Sequence, residues 1–354
     1  MKAAVMGAGS WGTTFAQVLC DAGTPAVLYA RKPQLAKALT GLHENPDYLP
    51  GIALTPALEA TSDPAEALDG ADLVAFAVPA QTLRSNLAAW APLIRPGALL
   101  VSLMKGIEHG TCMRMSEVIA EVAGPELAGP VAGRIGVVAG PNLAGEIIRR
   151  EYTAAVVACR SESTAVALQE ACHTPYFRPY TNTDVTGCEL GGAVKNVIAI
   201  AVGIAVAMGL GDNTRATLIT RGLAEMARMG SALGAQTQTF AGLAGMGDLV
   251  ATCSSPLSRN RTFGENLGRG MSMAEAEAAM NQTVEGVASS GPVLELARAH
   301  HVEMPITEVV EAVMRDGLPV TEAASMLASR SAKPEWYGPD ASGASGASVA
   351  SDAS

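Results

Sequence analysis

The chain opens on an apolar run, Lys2 to Met6, followed at once by Gly7-Ala8-Gly9-Ser10-Trp11-Gly12. A Gly-x-Gly-x-x-Gly pattern between a strand and a helix constrains the fold more than anything else in this sequence. Each glycine answers a separate need. Gly7 permits a tight turn, Gly9 lets backbone approach a pyrophosphate, and Gly12 lets the helix pack closely on the strand. The free N–H groups of the first helical turn then face negative charge. The pattern alone is compatible with a structural turn. Its place in the first strand–helix unit of the chain is the context in which it binds a dinucleotide.

The rest of the first half supports that reading. Short apolar runs recur at 26–30, 73–77, 98–103, 135–139 and 154–158, with helix-like segments between most of them, such as 81–90, 112–122 and 163–172. Strands alternating with helices predict a parallel sheet covered on both faces and wound by right-handed crossovers. The expected class is therefore α/β, a doubly wound Rossmann-type parallel sheet, joined to a second, all-helical domain. Helix-like stretches at 187–210, 214–230, 273–280, 290–300 and 306–314 make up that second part. The expected division is 1–180 for a dinucleotide-binding domain and 181–330 for a helical substrate and catalytic domain. The last segment, 331–354, is rich in Ala, Ser, Gly and Pro and is expected to be a disordered tail.

Composition narrows the function. With 49% hydrophobic but only 4% aromatic residues, the core is aliphatic. A net charge of -10 argues against nucleic acid as a partner, though a local basic pocket can still take an anionic metabolite. Six cysteines without a Cys-x-x-Cys pair read as reduced thiols of a cytoplasmic protein, and five histidines without zinc spacing predict no metal site. The N-terminus has no signal-peptide pattern. The most apolar stretch, 197–210, is 14 residues long and too short to span a bilayer, so no membrane span is expected.

The end of the second strand reads Tyr29-Ala30-Arg31-Lys32, and the next acid is Glu44. An acid here would bond the ribose 2′-hydroxyl of NAD, whereas two cations suit the 2′-phosphate of NADP. The expected cofactor is NADP or NAD with NADPH preferred; the alternative is a solvated pair at a helix start. Val78 and Pro79 end the third strand beside the crevice and are expected to contact coenzyme, though a plain strand terminator explains them nearly as well. Lys105 follows the fourth strand and could meet a substrate anion or carbonyl, or be a surface lysine in a turn. Gly140-Pro141-Asn142 follows the fifth as a helix-starting turn.

In the helical half, Glu189 to Asn196 is the most informative segment. On a helix, Lys195 shares its face with Gly191, Gly192 and Ala199, so another backbone or a flat ring can come close. A buried lysine is costly unless it is used or paired. Lys195 is read as the proton donor to a ketone oxygen, and as the base in reverse; the alternative is a structural lysine paired with Glu189 or Asp248. Asn196 can orient the substrate or Lys195. Asp248, in a glycine-rich turn, can hold Lys195 or bond a substrate hydroxyl. Ser258, Arg259 and Asn260 at a probable helix start make an anion site better suited to phosphate than to carboxylate, unless they are only a cap with a solvated arginine.

Taken together, these segments resemble the bacterial NAD(P)-dependent glycerol-3-phosphate dehydrogenases, from about residue 2 to residue 330. The resemblance is carried by GAGSWGTTFAQ at 7–17, NPDYLPG at 45–51, AVPAQ at 77–81, KGIE at 105–108, GPNLAGE at 140–146, ELGGAVKNVIAIAVGI at 189–204, GDN at 211–213, GLAGMGDLVATC at 242–253, SRNRTFG at 258–264 and VEG at 284–286. It implies reversible hydride transfer between a nicotinamide coenzyme and dihydroxyacetone phosphate, giving sn-glycerol 3-phosphate for phospholipid synthesis. By the same resemblance Lys195 is catalytic, and Lys105, Gly140, Asn142, Asp248, Ser258, Arg259 and Asn260 contact substrate. Ser10, Trp11, Arg31, Lys32, Lys105, Ala144, Arg259 and Glu285 join Gly7, Gly9 and Gly12 as coenzyme contacts. Asn142 stands where the family usually has serine, and the tail after 330 has no counterpart. A homodimer is expected from the long apolar helices. Two other functions compete. A β-hydroxyacid dehydrogenase would place its lysine and asparagine four apart on a helix, whereas Lys195 and Asn196 are adjacent. A non-catalytic coenzyme sensor would need no reactive lysine.

Overall fold

The computed structural model describes residues 1–128, 133–280 and 282–331, with residue 335. Its strands are β1 (Ala3–Met6), β2 (Ala26–Tyr29), β3 (Glu44–Asn45), β4 (Leu49–Ala53), β5 (Glu59–Thr61), β6 (Leu73–Phe76), β7 (Leu99–Ser102), β8 (Ile135–Ala139), β9 (Thr153–Cys159) and β10 (Phe177–Asn182). β3 and β4 pair as a small antiparallel hairpin, and the other eight form one sheet in the order β10-β9-β8-β7-β6-β1-β2-β5. β1 lies between β2 and β6, parallel to both, with Ala3 opposite Ala26 on one side and Leu73 on the other. The chain thus winds away from β1 in two directions. At such a switch point the connections part and leave a crevice beyond the carboxyl ends of the strands.

Alternate residues of these strands feed two different cores. Ala3 and Val5 join Phe15, Leu19 and Leu28 on one face, while Ala4 and Met6 join Phe76, Leu83 and Trp90 on the other. Every residue of β1, β6 and β7 is buried, as strands covered on both faces must be.

The sheet departs from the all-parallel expectation at one place. β9 runs antiparallel to β8, with Val137 opposite Ala158, and β10 then runs parallel to β9. The connection explains this. Its helix is a single turn, Ala144–Ile147, tied to the first helix by Thr14 Oγ1 donating to the Ala144 carbonyl at 3.4 Å. The chain therefore returns from the end of β8 straight into β9 without crossing the sheet.

The sheet ends at Asn182, and the helix Val185–Ala207 starts three residues later. It is 23 residues long, so the apolar stretch is longer than expected and sufficient by length and composition to cross a membrane, but 89% of its most apolar window is buried in the protein. Around it pack Asp212–Ala232, Asp248–Ser254, Arg259–Gly268, Glu285–Ala299 and Pro305–Arg315. Val194, Ile198, Met226, Phe263, Leu294 and Val310 belong to their common core. The expected tail falls at 332–334 and 336–354, outside the described residues.

Candidate active site in the crevice

The glycine turn has the shape its sequence requires. Gly7 has φ +131, and a Cβ there would come to 2.5 Å from the Ala77 carbonyl oxygen. A Cβ on Gly12 would overlap the Gly7 carbonyl oxygen, so the helix sits directly on the turn. A Cβ on Gly9 would meet open space instead. Gly9 caps the helix Ser10–Asp21 without a side-chain hydrogen bond. The start of the helix therefore opens onto free space, which fits a pyrophosphate.

The hairpin β3–β4 closes over this turn. The buried Asn45 amide donates to the Ala8 carbonyl at 3.0 Å and to Thr13 Oγ1 at 2.7 Å. Ser10 Oγ donates to the Tyr48 carbonyl at 3.3 Å and lies 3.4 Å from Gln282 Oε1. Trp11 packs against Phe15 at 5.7 Å, and its buried Nε1 lacks a protein partner among the described residues. An unpartnered indole donor beside the turn fits an acceptor on a bound dinucleotide. At the end of β2, Arg31 and Lys32 are both exposed, but they are not equivalent. Lys32 Nζ pairs with Asp47 of the hairpin at 2.8 Å, whereas Arg31 makes no ion pair among the described residues.

Deeper in the crevice, three charged side chains from distant segments meet. Asp248 is 1% exposed. Its Oδ1 accepts from Lys195 Nζ at 2.6 Å, and its Oδ2 accepts from Lys105 Nζ at 2.6 Å. Lys195 also donates to Thr252 Oγ1 at 2.6 Å, and Lys105 donates to the Gly140 carbonyl at 2.9 Å. Burial lowers the Lys195 pKa to about 8, with the Lys105 charge acting the same way and the Asp248 carboxylate opposing both. An amine so placed can both hold and release a proton near neutral pH.

The bare helix face beside Lys195 is used for close approach, though by protein. A Cβ on Gly191 would overlap the Ala244 carbonyl oxygen, and one on Gly192 would lie 3.3 Å from Lys105 Cγ. Gly192 thus gives room to the stem of Lys105. Residues Leu243–Gly247, expected as a turn, form one turn of π-helix running into the helix that carries Asp248. Such turns concentrate at functional sites.

A chain of amides ties the remaining residues together. Asn196 Nδ2 reaches the Lys105 carbonyl at 3.4 Å, while Asn196 Oδ1 accepts from Asn260 Nδ2 at 2.9 Å. Asn260 Oδ1 accepts from the Gly286 N–H at 2.9 Å. Ser258 caps its helix by accepting from the Arg261 N–H. Arg259 donates to the Thr283 carbonyl at 2.7 Å, which brings it beside Glu285. Burial pushes the Glu285 carboxyl up to about 7 against the pull of Arg259 and the Ala80 N–H. Asn142 donates Nδ2 to the Ala139 carbonyl at 3.2 Å, and its buried Oδ1 has no partner among the described residues. Ala144 begins the short helix packed on the first one, and Val78 lies against Gly7.

Among the residues expected at the site, Lys195, Lys105, Asp248, Gly140 and Asn196 thus form one connected cluster. Glu189, one expected partner for Lys195, is instead held by Arg114 at 2.8 Å. Thr252 was not anticipated. Its signal was present, because a residue four after Asp248 on a helix shares its face. The pairing of Asp47 with Lys32 and of Arg114 with Glu189 carried no local signal, since these partners are 15 and 75 residues apart.

Comparison with known proteins agrees with this geometry. Two family models match: the NAD-dependent glycerol-3-phosphate dehydrogenase N-terminus over residues 2–165 and the C-terminus of the same family over 184–325. A glycerol-3-phosphate dehydrogenase (NAD(P)+) of Thermobifida fusca is 64% identical over 338 residues, covering 95% of this chain and 99% of the relative. One from Nocardia farcinica is 56% identical, covering 94% of this chain and 99% of the relative. The crystal structure of glycerol-3-phosphate dehydrogenase from Coxiella burnetii superposes with a TM-score of 0.87 at 36% identity, covering 93% of this chain and 99% of that one. By its two family matches and by full-length relatives of this similarity, the chain belongs to the NAD-dependent glycerol-3-phosphate dehydrogenases.

Proposed function

We propose that the enzyme reduces dihydroxyacetone phosphate to sn-glycerol 3-phosphate, reversibly, with NADPH or NADH, and so supplies the backbone for glycerophospholipid synthesis. The observation that carries this is the Lys195–Asp248–Lys105 cluster, deep in the crevice of a chain that also carries a dinucleotide turn. Residues 1–180 bind coenzyme in this reading, and 181–330 supply the proton donor and most of the substrate contacts. The turn from Gly7 to Gly12, with Ser10, Trp11, Ala144 and Arg31, would hold the coenzyme, which when bound supplies a hydride to the carbonyl carbon.

The protein's part is to place the ketone and manage one proton. Lys195 Nζ gives its proton to the carbonyl oxygen as negative charge grows there, and takes it back in the oxidative direction. Asp248 and Thr252 fix the direction of that ammonium. Lys105 adds positive charge on the same side, and Asn142 offers an unpartnered acceptor to a substrate hydroxyl. Arg259 and the start of the helix behind it take the phosphate, where a guanidinium and helix N–H groups add together.

The test is to mix protein, NADPH and dihydroxyacetone phosphate and follow the loss of reduced-nicotinamide absorbance. Turnover is expected, and Lys195→Met should lower kcat by roughly 100-fold or more. A sensor would bind NADPH and turn nothing over. A β-hydroxyacid dehydrogenase would act on a hydroxy acid in preference to the phosphorylated ketone. The family relation and the free thiols support a cytoplasmic location. The ground for a homodimer has changed, because the apolar helix that suggested it is buried within one chain. Light scattering decides that point by returning one or two multiples of 36.1 kDa.

A further inference from the structure

The two cations at the end of β2 sit beside an acid that does not come from that strand. Asp47 lies in the hairpin β3–β4, and the hairpin is fastened to the dinucleotide turn. Asn45 bonds Ala8 and Thr13, and the Tyr48 carbonyl accepts from Ser10, so the residues on both sides of Asp47 are anchored to coenzyme-binding backbone. Lys32 begins the helix Pro33–Gly41 as its cap, and its ammonium is directed to Asp47 Oδ2 at 2.8 Å. Arg31 makes no ion pair among the described residues.

In this fold the end of the second strand faces the adenosine ribose, where an acid favours a free 2′-hydroxyl and cations favour a 2′-phosphate. This chain carries both. We propose that Asp47 is a specificity-determining residue: by engaging Lys32 and placing a negative charge beside the ribose, it holds down the preference for the 2′-phosphate and keeps NADH usable. The proposal rests on the reading that Arg31 and Lys32 face the 2′ position.

A 2′-phosphate brings close to two negative charges to the site. With Asp47 present, the local set is Arg31 and Lys32 against one carboxylate, so the phosphate meets a net of one positive charge. Without it, the same phosphate meets two cations, and Lys32 is free to turn toward it. The pair is exposed, so screening limits the effect. An NADPH gain of about tenfold is the scale to expect, shrinking as salt is raised. The hydroxyl of NADH gains nothing from the freed lysine and exchanges a charged acceptor for a neutral one.

The experiment measures kcat/KM for NADPH and for NADH on the same preparation, so that loss of folded protein cancels in the ratio. Asp47→Asn should raise the NADPH:NADH ratio about tenfold, mostly through KM. Adding Lys32→Ala to Asp47→Asn should remove a large part of that gain. Arg31→Ala reports separately on the underlying reading and should lower the ratio. An unchanged ratio in Asp47→Asn, with Arg31→Ala still lowering it, overturns the role of Asp47 and leaves the 2′ site standing. An unchanged ratio in both variants overturns the reading of the 2′ site and the proposal with it. Direct titration with NADP+ and NAD+ without substrate should give the same ordering, and an Asp47→Asn protein that tightens on both equally also overturns the proposal.

Discussion

One buried carboxylate shared by a buried and a partly buried ammonium group sets the chemistry at the residue scale. Burial and the Lys105 charge lower the Lys195 pKa to about 8, and Asp248 keeps it from falling further. Reduction needs the protonated amine, so kcat/KM for reduction should fall as pH rises through about 8, while kcat/KM for oxidation should rise over the same interval. Asp248→Asn removes the largest of the influences that raise this pKa. Its reduction profile should break at lower pH than the parent's, and turnover at neutral pH should drop about 10- to 100-fold. A parent-like profile with reduced amplitude would mean that Asp248 only fills space. Lys195 and Asp248 could be singled out in the sequence because an amine on a nearly side-chain-free helix face and an acid among glycines are both unusual. That a second lysine completes the cluster could not be read, because Lys105 and Asp248 are 143 residues apart and meet only when the chain folds.

Among the elements, the crossing of Val185–Ala207 with Arg259–Gly268 determines where the anion-binding start of the second helix lies. Glycines make the crossing close. A Cβ on Gly264 would overlap the Ile200 carbonyl, one on Gly203 would overlap the Arg261 carbonyl, and one on Gly268 would sit 2.7 Å from the Ile204 carbonyl. Alanine at 264 gains about 1 kcal/mol of helix propensity. Against that, overpacking costs about 1–3 kcal/mol, and backbone on the far side yields less readily than a side chain. Gly264→Ala should therefore lose about 1–2 kcal/mol in urea unfolding and raise KM for the phosphorylated substrate, since Ser258 and Arg259 ride on the displaced helix. Gly41→Ala, with open space around its Cβ, is the control and should cost nothing. Equal stability of the two variants would remove the argument. Strands buried on both faces stand out in a sequence as apolar runs, which is why β1, β2 and β6 to β9 were legible. β5, β10 and the hairpin were not, because Glu59–Thr61, Phe177–Asn182 and Glu44–Asn45 carry mixed or polar residues held by pairing with neighbours. The direction of β9 was hidden for a different reason: pattern reports burial, whereas direction is set by the connection.

For the molecule as a whole, the site exists only where the two halves dock. Lys105 comes from the sheet side, and Lys195 and Asp248 come from the helices. Their register is held by a second buried ion pair. Glu189, in the second turn of the long helix, accepts from Arg114 at 2.8 Å and from the Ser116 N–H and hydroxyl at 2.7 and 2.6 Å. Arg114 bridges to Ile107, which closes the loop that begins at Lys105. Burial raises the Glu189 pKa, and Arg114 works against that rise. Such a pair contributes little net stability, because desolvation of both charges offsets their attraction, but breaking one side leaves a buried charge alone. Glu189→Gln leaves the buried guanidinium with only the exposed Glu117 carboxylate as an ionic partner and should cost about 3 kcal/mol. Arg114→Met should cost less, since a carboxyl whose pKa is already raised can take up a proton and keep its Ser116 hydrogen bonds. The double variant should recover most of the loss, giving a coupling energy above about 2 kcal/mol in a denaturant-based cycle. Its stability would return without the charge that aligns the halves, so its kcat should remain below the parent's while coenzyme affinity is kept. Losses that simply add, within about 0.5 kcal/mol, would show that the pair is two separate surface-like contacts and that packing alone brings Lys105 to Asp248.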